Sequence, residues 1–208
     1  MKNRVTLYIL CILLTGCFPE AKYKITDNAV YMTGWSEANG DYIIPVKDAD
    51  QATFELIEND NHLLIGKDKN HVFFETTLIE NADPNTFRPI GNYYFVDNDS
   101  VYFFGFYNNK NDCEVWGVRP SEIKLYEKYP WAHDNGNVVF GQTVTQLSNP
   151  NDLQIVNKNW GRTTDKVFYK GYLVDSVDIP TFKILSDEKA EDKNYIYYQG
   201  AVYLRRND

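Results

Sequence analysis

The chain has 208 residues and carries 21 Lys and Arg against 29 Asp and Glu, a formal net charge of −8. That acidic balance excludes nucleic acid as a partner and a polybasic membrane-binding face. The 16 Tyr, 12 Phe and 3 Cys describe strand-forming segments without the cysteine density of a disulfide scaffold.

At the N-terminus, Lys2 and Arg4 precede an apolar run of ten residues from Val5 to Leu14. Such a run is too short to span a bilayer as a mature helix. It ends in Leu14-Thr15-Gly16-Cys17, which resembles the lipobox of bacterial lipoproteins. The resemblance implies cleavage after Gly16 and lipidation of Cys17; a nonlipidated signal and an uncleaved anchor helix are the alternatives. Residues 1–16 are then a signal peptide, 17–26 a tether and 27–208 a repeat domain. Acyl chains would hold the protein to a membrane of the bacterial cell envelope, facing the periplasm or the surface. Loss of Lys2 and Arg4 leaves 19 basic against 29 acidic residues (19 − 29 = −10). Cys11 goes with the signal, so Cys113 alone remains and no internal disulfide can form. Its readings are a structural thiol, an intermolecular bridge or a nucleophile, with Lys110 the one basic neighbour to lower its pKa.

A phrase then recurs along the chain. Asn28-Ala29-Val30-Tyr31-Met32 leads to Ala52-Thr53-Phe54, and Asp68-Lys69-Asn70-His71-Val72-Phe73-Phe74 leads to Asn85-Thr86-Phe87. Asp99-Ser100-Val101-Tyr102-Phe103-Phe104 leads to Ile123, and Asn137-Val138-Val139-Phe140 to Leu153. Asp165-Lys166-Val167-Phe168-Tyr169 leads to Pro180-Thr181-Phe182, and Asp192-Lys193-Asn194-Tyr195-Ile196-Tyr197-Tyr198 opens a copy without a closing phenylalanine. Val72 to Phe87, Val138 to Leu153 and Val167 to Phe182 are all steps of 15 residues. The closing positions Phe54, Phe87, Ile123, Leu153 and Phe182 fall at intervals of 33, 36, 30 and 29. Repetition at this period marks a unit that needs neighbours to bury its apolar face.

These units resemble the DKNYY family of bacterial secreted or lipid-anchored proteins. The resemblance rests on Asp68-Lys69-Asn70-His71, Asp165-Lys166 and Asp192-Lys193-Asn194-Tyr195, and is strongest over 68–90 and 165–204. His71 stands where tyrosine is typical, and the Asp165 copy lacks the Asn-Tyr pair. The resemblance implies the repeat and carries no activity onto any residue.

Each unit reads as an Asp/Asn turn, a strand such as Val167–Tyr169, a tight turn such as Lys170-Gly171 and a returning strand. Alternation puts the outer residues of Val-Phe-Tyr on one face and the middle one on the other. Closing segments such as Thr86-Phe87 are expected to pack over one side. The expected fold is all-β: repeated β-hairpin units in a twisted or curved antiparallel array. A closed propeller-like ring is the alternative, although about 30 residues is short for a four-stranded blade.

No pattern of catalytic or metal-binding residues emerges, and no cofactor is expected. His62, His71 and His133 lack metal-ligand spacing, and His71 falls at a packing position. Asp97-Asn98-Asp99 and Asp134-Asn135-Gly136-Asn137 invite calcium but lack a complete binding loop, so turns are the better reading. The candidate binding residues are Trp116, Trp131 and His133, because the repeat is stretched between 105 and 136 and insertions in arrays gather on binding faces. The expected role is a noncatalytic envelope lipoprotein that binds or scaffolds a protein or glycan. A secreted immunity or inhibitor-type partner is the alternative, and an envelope hydrolase built on paired carboxylates the next.

Overall fold

The computed structural model describes residues 21–58, 63–105, 112–145, 147 and 149–206. The signal segment with Cys11 and Cys17, His62, and part of the stretched region, 106–111, lie outside the described residues.

Tyr, Phe and Val alternate over runs of two to seven residues, and each run between Asp/Asn turns becomes a strand. Sheet 1 contains β1 (Lys22–Ile25), β2 (Val30–Ser36) and β3 (Gly40–Pro45). Sheet 2 contains β4 (Glu55–Leu56), β5 (Ile65–Lys67), β6 (Val72–Phe74) and β7 (Thr77–Leu78). Sheet 3 contains β8 (Arg88–Gly91), β9 (Tyr94–Val96) and β10 (Val101–Phe103). Its outer side is continued by a bridge between Glu114 and Tyr102. Sheet 4 contains β11 (Lys124–Leu125), β12 (Trp131–His133), β13 (Val138–Phe140) and β14 (Thr143–Val144). Sheet 5 contains β15 (Gln154–Ile155), β16 (Trp160–Arg162), β17 (Val167–Tyr169) and β18 (Tyr172–Leu173). Sheet 6 contains β19 (Lys183–Ile184), β20 (Lys189–Glu191), β21 (Tyr195–Tyr198) and β22 (Ala201–Arg205). Within every sheet the strands pair antiparallel in chain order.

The all-β array of short antiparallel units is therefore the fold. Its unit is larger than a two-stranded hairpin. The closing segment does not lie over its own hairpin. It runs on as the first strand of the following sheet: Phe54 precedes β4, Phe87 precedes β8, and Phe182 precedes β19. Four strands fit into about thirty residues because each is only two to five residues long in sheets 2 to 6. The sheet also begins earlier than the expected tether boundary, since Lys22–Ile25 pairs with Val30–Thr33.

The sheets stack face to face, and the alternation decides how. Ile65 and Val72 of sheet 2 meet Phe95 and Tyr102 of sheet 3, with Phe87 between them. The opposite face of sheet 3, with Tyr94, Val96, Val101 and Phe103, meets Ala132 and Val139 of sheet 4. Trp131, Val138 and Phe140 meet Phe168 of sheet 5. Trp160, Val167 and Tyr169 meet Ala190 and Tyr197 of sheet 6. Each sheet thus offers its outer pair of residues to the next sheet and its middle residue to the previous one.

The stack stays open at its C-terminal end. Tyr198 is 46% exposed, whereas its counterparts Phe103, Phe140 and Tyr169 are buried by the next sheet.

The turn between the third and fourth strands also touches the preceding sheet. Lys170 and Gly171 have φ of +50° and +85°, the paired left-handed geometry of a tight hairpin. A Cβ on Gly171 would lie 3.0 Å from Phe140 Cβ of sheet 4. Gly171→Ala is expected to destabilise the fold by about 1–2 kcal/mol, the cost of Cβ in left-handed backbone, with any shift forced on Phe140 added. Chemical denaturation measures it, and an unchanged midpoint refutes the close approach.

Candidate functional site

The polar chemistry of the repeat concentrates in one recurring arrangement. An aspartate between the second and third strands is almost fully buried: Asp68, Asp97, Asp134 and Asp192 are 4%, 5%, 0% and 1% exposed. One oxygen closes the aspartate's own turn. Asp68 Oδ1 accepts from the N–H groups of Asn70 and His71, each at 2.7 Å. Asp97, Asp134 and Asp192 repeat this with Asp99 and Ser100, Gly136 and Asn137, and Asn194 and Tyr195.

The other oxygen reaches back to the turn that precedes the sheet. Asp68 Oδ2 accepts from the N–H of Asp50 at 2.8 Å, Asp97 from Asp83 at 2.9 Å, Asp134 from Arg119 at 3.0 Å and Asp192 from Asp178 at 2.8 Å. The turn's threonine returns the contact. Thr53, Thr86 and Thr181 accept from the N–H groups of Lys69, Asn98 and Lys193. The motif lysine adds an ion pair: Lys69 Nζ and Lys193 Nζ lie 2.8 Å from Asp50 and Asp178 carboxylates. Both lysines are largely exposed, so these pairs add little stability beside the buried carboxylates. The Asp-Lys phrase and the Asp-x-x-Thr-Phe phrase are two halves of one clasp.

The electrostatics follow from this bonding. Burial raises the pKa of Asp134, but N–H donors from Gly136, Arg119 and Asn137 outweigh it and hold the carboxyl below its ordinary range. Asp192 follows the same balance, with Asp178, Tyr197, Tyr195 and Asn194 as donors. Tyr102 and Tyr197 donate their hydroxyls to Asp97 and Asp192 at 2.8 and 2.7 Å. Burial and the adjacent carboxylate push both phenols well above their ordinary pKa, so they remain donors.

Sequence reasoning missed part of this set. Asp97 and Asp134 stand where a calcium loop was weighed, and both oxygens of each are bonded to turn donors. The Asp165 copy is out of register by two residues. Its clasp position is Thr163, which is buried, while Asp165 is exposed and accepts from Thr163 Oγ1 at 2.7 Å. The legible signal was the step of four from the buried residue to the same position of the third strand: Asp68 to Val72, Asp97 to Val101, Asp134 to Val138, Thr163 to Val167 and Asp192 to Ile196.

The three candidate binding residues do not form one surface. Trp131 has no exposed area, packs edge-on to Phe140 at 5.0 Å, and donates its indole N–H to Lys158 O at 3.0 Å. It is a core side chain here, because the second strand of sheet 4 turns this position toward sheet 5. His133 is half-buried on β12, with its ring 4.9 Å from Tyr126 and Nδ1 2.9 Å from Asp134 O. Trp116 is 68% exposed and borders a small cavity of about 140 Å³ with Asn81, Tyr102 and Cys113. His71 packs its ring against Phe73 at 5.9 Å.

Cys113 is buried, and loss of hydration pushes its thiol up to about 12. A thiol so raised is a poor nucleophile at neutral pH. Thiol reagents are expected to modify Cys113 at a rate that follows unfolding, and fast stoichiometric labelling of the folded protein would contradict this placement.

Among the described residues, no group of three His, Cys, Asp or Glu side chains is placed to hold a metal ion. No curated protein and no solved structure matches the chain. Residues 23–201, which run from Tyr23 in β1 to the first residue of β22 and contain the clasps described above, match the DKNYY family, and the chain belongs to it.

Proposed function

We propose that this protein is a noncatalytic, lipid-anchored component of the bacterial cell envelope, whose stacked sheets hold a binding or scaffolding surface for a protein or glycan. One observation carries the noncatalytic reading: the repeated acidic residues spend both carboxylate oxygens on backbone and hydroxyl donors of their own fold. Carboxylates committed in this way are unavailable as general acids, bases or nucleophiles, whose reactive atoms must reach a substrate. The anchor rests on the Leu14-Thr15-Gly16-Cys17 sequence. Exposed aromatic side chains such as Trp116 suit a contact role.

Metabolic acyl labelling of wild type and Cys17→Ala in the native host tests the anchor. Label and membrane fractionation should both be lost in the variant; an unlabelled wild type overturns lipidation. A photocrosslinking side chain at position 116 tests contact in the intact envelope. A discrete adduct supports the binding role. Absence of adducts from position 116 and from a panel of other exposed positions overturns it.

A further inference from the structure

The turn ends of the sheets change character along the stack. In sheets 2 to 6 the residue before the second strand offers its carbonyl to the turn after the third strand. Leu64 O accepts from the N–H of Glu75, Tyr93 O from Phe104, Pro130 O from Gly141, Asn159 O from Lys170 and Glu188 O from Gln199. These bonds mark equivalent positions. Sheets 2 to 4 place apolar or aromatic side chains there, and sheets 5 and 6 place an amide and a carboxylate.

A cavity of about 370 Å³ lies at this change of character, within the range of about 300–1,000 Å³ for small-molecule sites. Sheet 4 gives it an apolar wall of Tyr129, Pro130 and Phe140. Sheet 5 adds Lys158, Asn159 and Lys170, and sheet 6 adds Asp187 and Glu188.

Asn159 is 8% exposed. Its Nδ2 donates to Asp187 O at 3.0 Å, which fixes the amide. Among the described residues its Oδ1 accepts no hydrogen bond. One repeat earlier the equivalent carbonyl, Lys158 O, is taken by the Trp131 indole. The matching indole of Trp160 is wholly buried, and its N–H has no acceptor among the described residues. The fold thus forgoes an indole bond that the preceding repeat makes, and holds in its place an amide whose oxygen has no donor. An acceptor kept in this state is satisfied by a donor from outside the fold.

The charges select the ligand. Lys158 and Lys170 are matched by Asp187 and Glu188, so an anion meets carboxylates and a cation meets ammonium groups. Lys158 and Asp187 already pair at 3.0 Å. Glu188 accepts from Tyr198 Oη and Gln199 Nε2 at 3.0 and 3.3 Å. What remains is a fixed amide acceptor with ammonium donors beside an apolar wall. A sugar matches this set, because each hydroxyl both donates and accepts and the ring presents a C–H face. A cavity of this size lacks the extended area of a protein–protein contact.

We propose that this cavity binds a neutral saccharide. Asn159 Oδ1 accepts from one hydroxyl, Lys170 Nζ donates to another, and the C–H face of the ring lies on the Tyr129 and Phe140 wall. The proposal gives a place and a ligand class to the binding role proposed above, and rests on it.

The full-length protein, purified from membranes in a sugar-free detergent, is titrated with short neutral oligomers of glucose, galactose, mannose and N-acetylglucosamine. Calorimetry should show saturable binding of at least one of them, with added hydrogen-exchange protection at Lys158, Asn159, Lys170, Asp187 and Glu188. Lys170→Asn should weaken it at least tenfold. Asparagine tolerates the left-handed backbone at this position, so the variant should fold, which its melting curve verifies. Asn159→Leu, which removes the acceptor at similar volume, should also weaken binding at least tenfold, and Trp116→Ala should leave it unchanged. No saturation with any oligomer, or binding undiminished in Lys170→Asn, overturns the proposal. Binding of inorganic phosphate that Glu188→Gln strengthens assigns the cavity to an anion, and also overturns it. Crosslinked adducts from position 116 without saccharide binding sink this site alone. Failure of the binding role has a separate signature: no adducts from any exposed position in the envelope.

Discussion

Trp131→Ala is expected to destabilise the protein by about 3–5 kcal/mol, the range for truncating a large buried aromatic. Trp131 sits at the interface of sheets 4 and 5, where it packs with Val138, Phe140, Leu153 and Phe168. Its removal empties space on both sides of that interface and leaves Lys158 O without its indole donor. Cη2 of Trp131 would lie 3.3 Å from a Cβ at Gly161, so the neighbouring strand is fitted around the ring. Trp116→Ala is the control. At 68% exposure it should change stability by less than about 0.5 kcal/mol. Urea denaturation of both variants checks the contrast. Equal, small effects would show that Trp131 does not hold the stack together.

Asp134→Ala should cost about 3 kcal/mol, because it leaves several donors unpaired in a site closed to water. The affected groups are the N–H groups of Gly136, Asn137 and Arg119 and the side-chain amide of Asn137. Those donors belong to two different turns, so the loss leaves the bond from the Asn137 side-chain amide to Gly117 O to tie the β12–β13 turn to the segment before β11. Asp165→Ala is the informative comparison, since Asp165 is exposed and bonded only within its own turn. It should cost well under 1 kcal/mol, as exposed polar substitutions do.

The same carboxylates set the acid limit of the fold. Asp134 and Asp192 are held below their ordinary pKa in the folded state, so the unfolded chain binds protons more readily there. Their contribution is complete above the unfolded aspartate pKa of about 4 and is lost as pH falls through the lower folded values. Unfolding midpoints should therefore be flat from neutral pH to about 5 and fall steeply below about 4. Asp134→Asn should start lower and fall less steeply in acid. A midpoint that rises on acidification would reverse the assigned sign.

The strands were legible because their signal is local. Val-Phe-Phe, Val-Tyr-Phe and Val-Phe-Tyr alternate strongly, and Asn, Asp and Gly punctuate them. Lys170-Gly171 was readable as a tight turn because two residues with positive φ restrict its chemistry. The closing segments were harder. Phe182-Lys183-Ile184 is too short for alternation to show whether it covers its own hairpin or pairs with the next, and pairing across 183–191 is a long-range choice. Trp131 shows the same limit: an aromatic in a glycine- and aspartate-rich stretch can face a ligand or a core, and only the register of β12 with β13 decides.

What the sequence by itself determined was the period, the strand positions, the turn chemistry and the acidic balance, all of which depend on neighbours within a few residues. The tertiary structure decided what the recurring aspartate is for. Asp68, Asp97, Asp134 and Asp192 become clasps only when an N–H from a turn 14 to 18 residues earlier is brought to the second carboxylate oxygen. It also decided that a closing segment pairs with the following sheet, as Lys183 does with Glu191, and does not cover its own hairpin. Both outcomes arise from stacking, where buried polar groups must be paired and each sheet must find a neighbour for its apolar face.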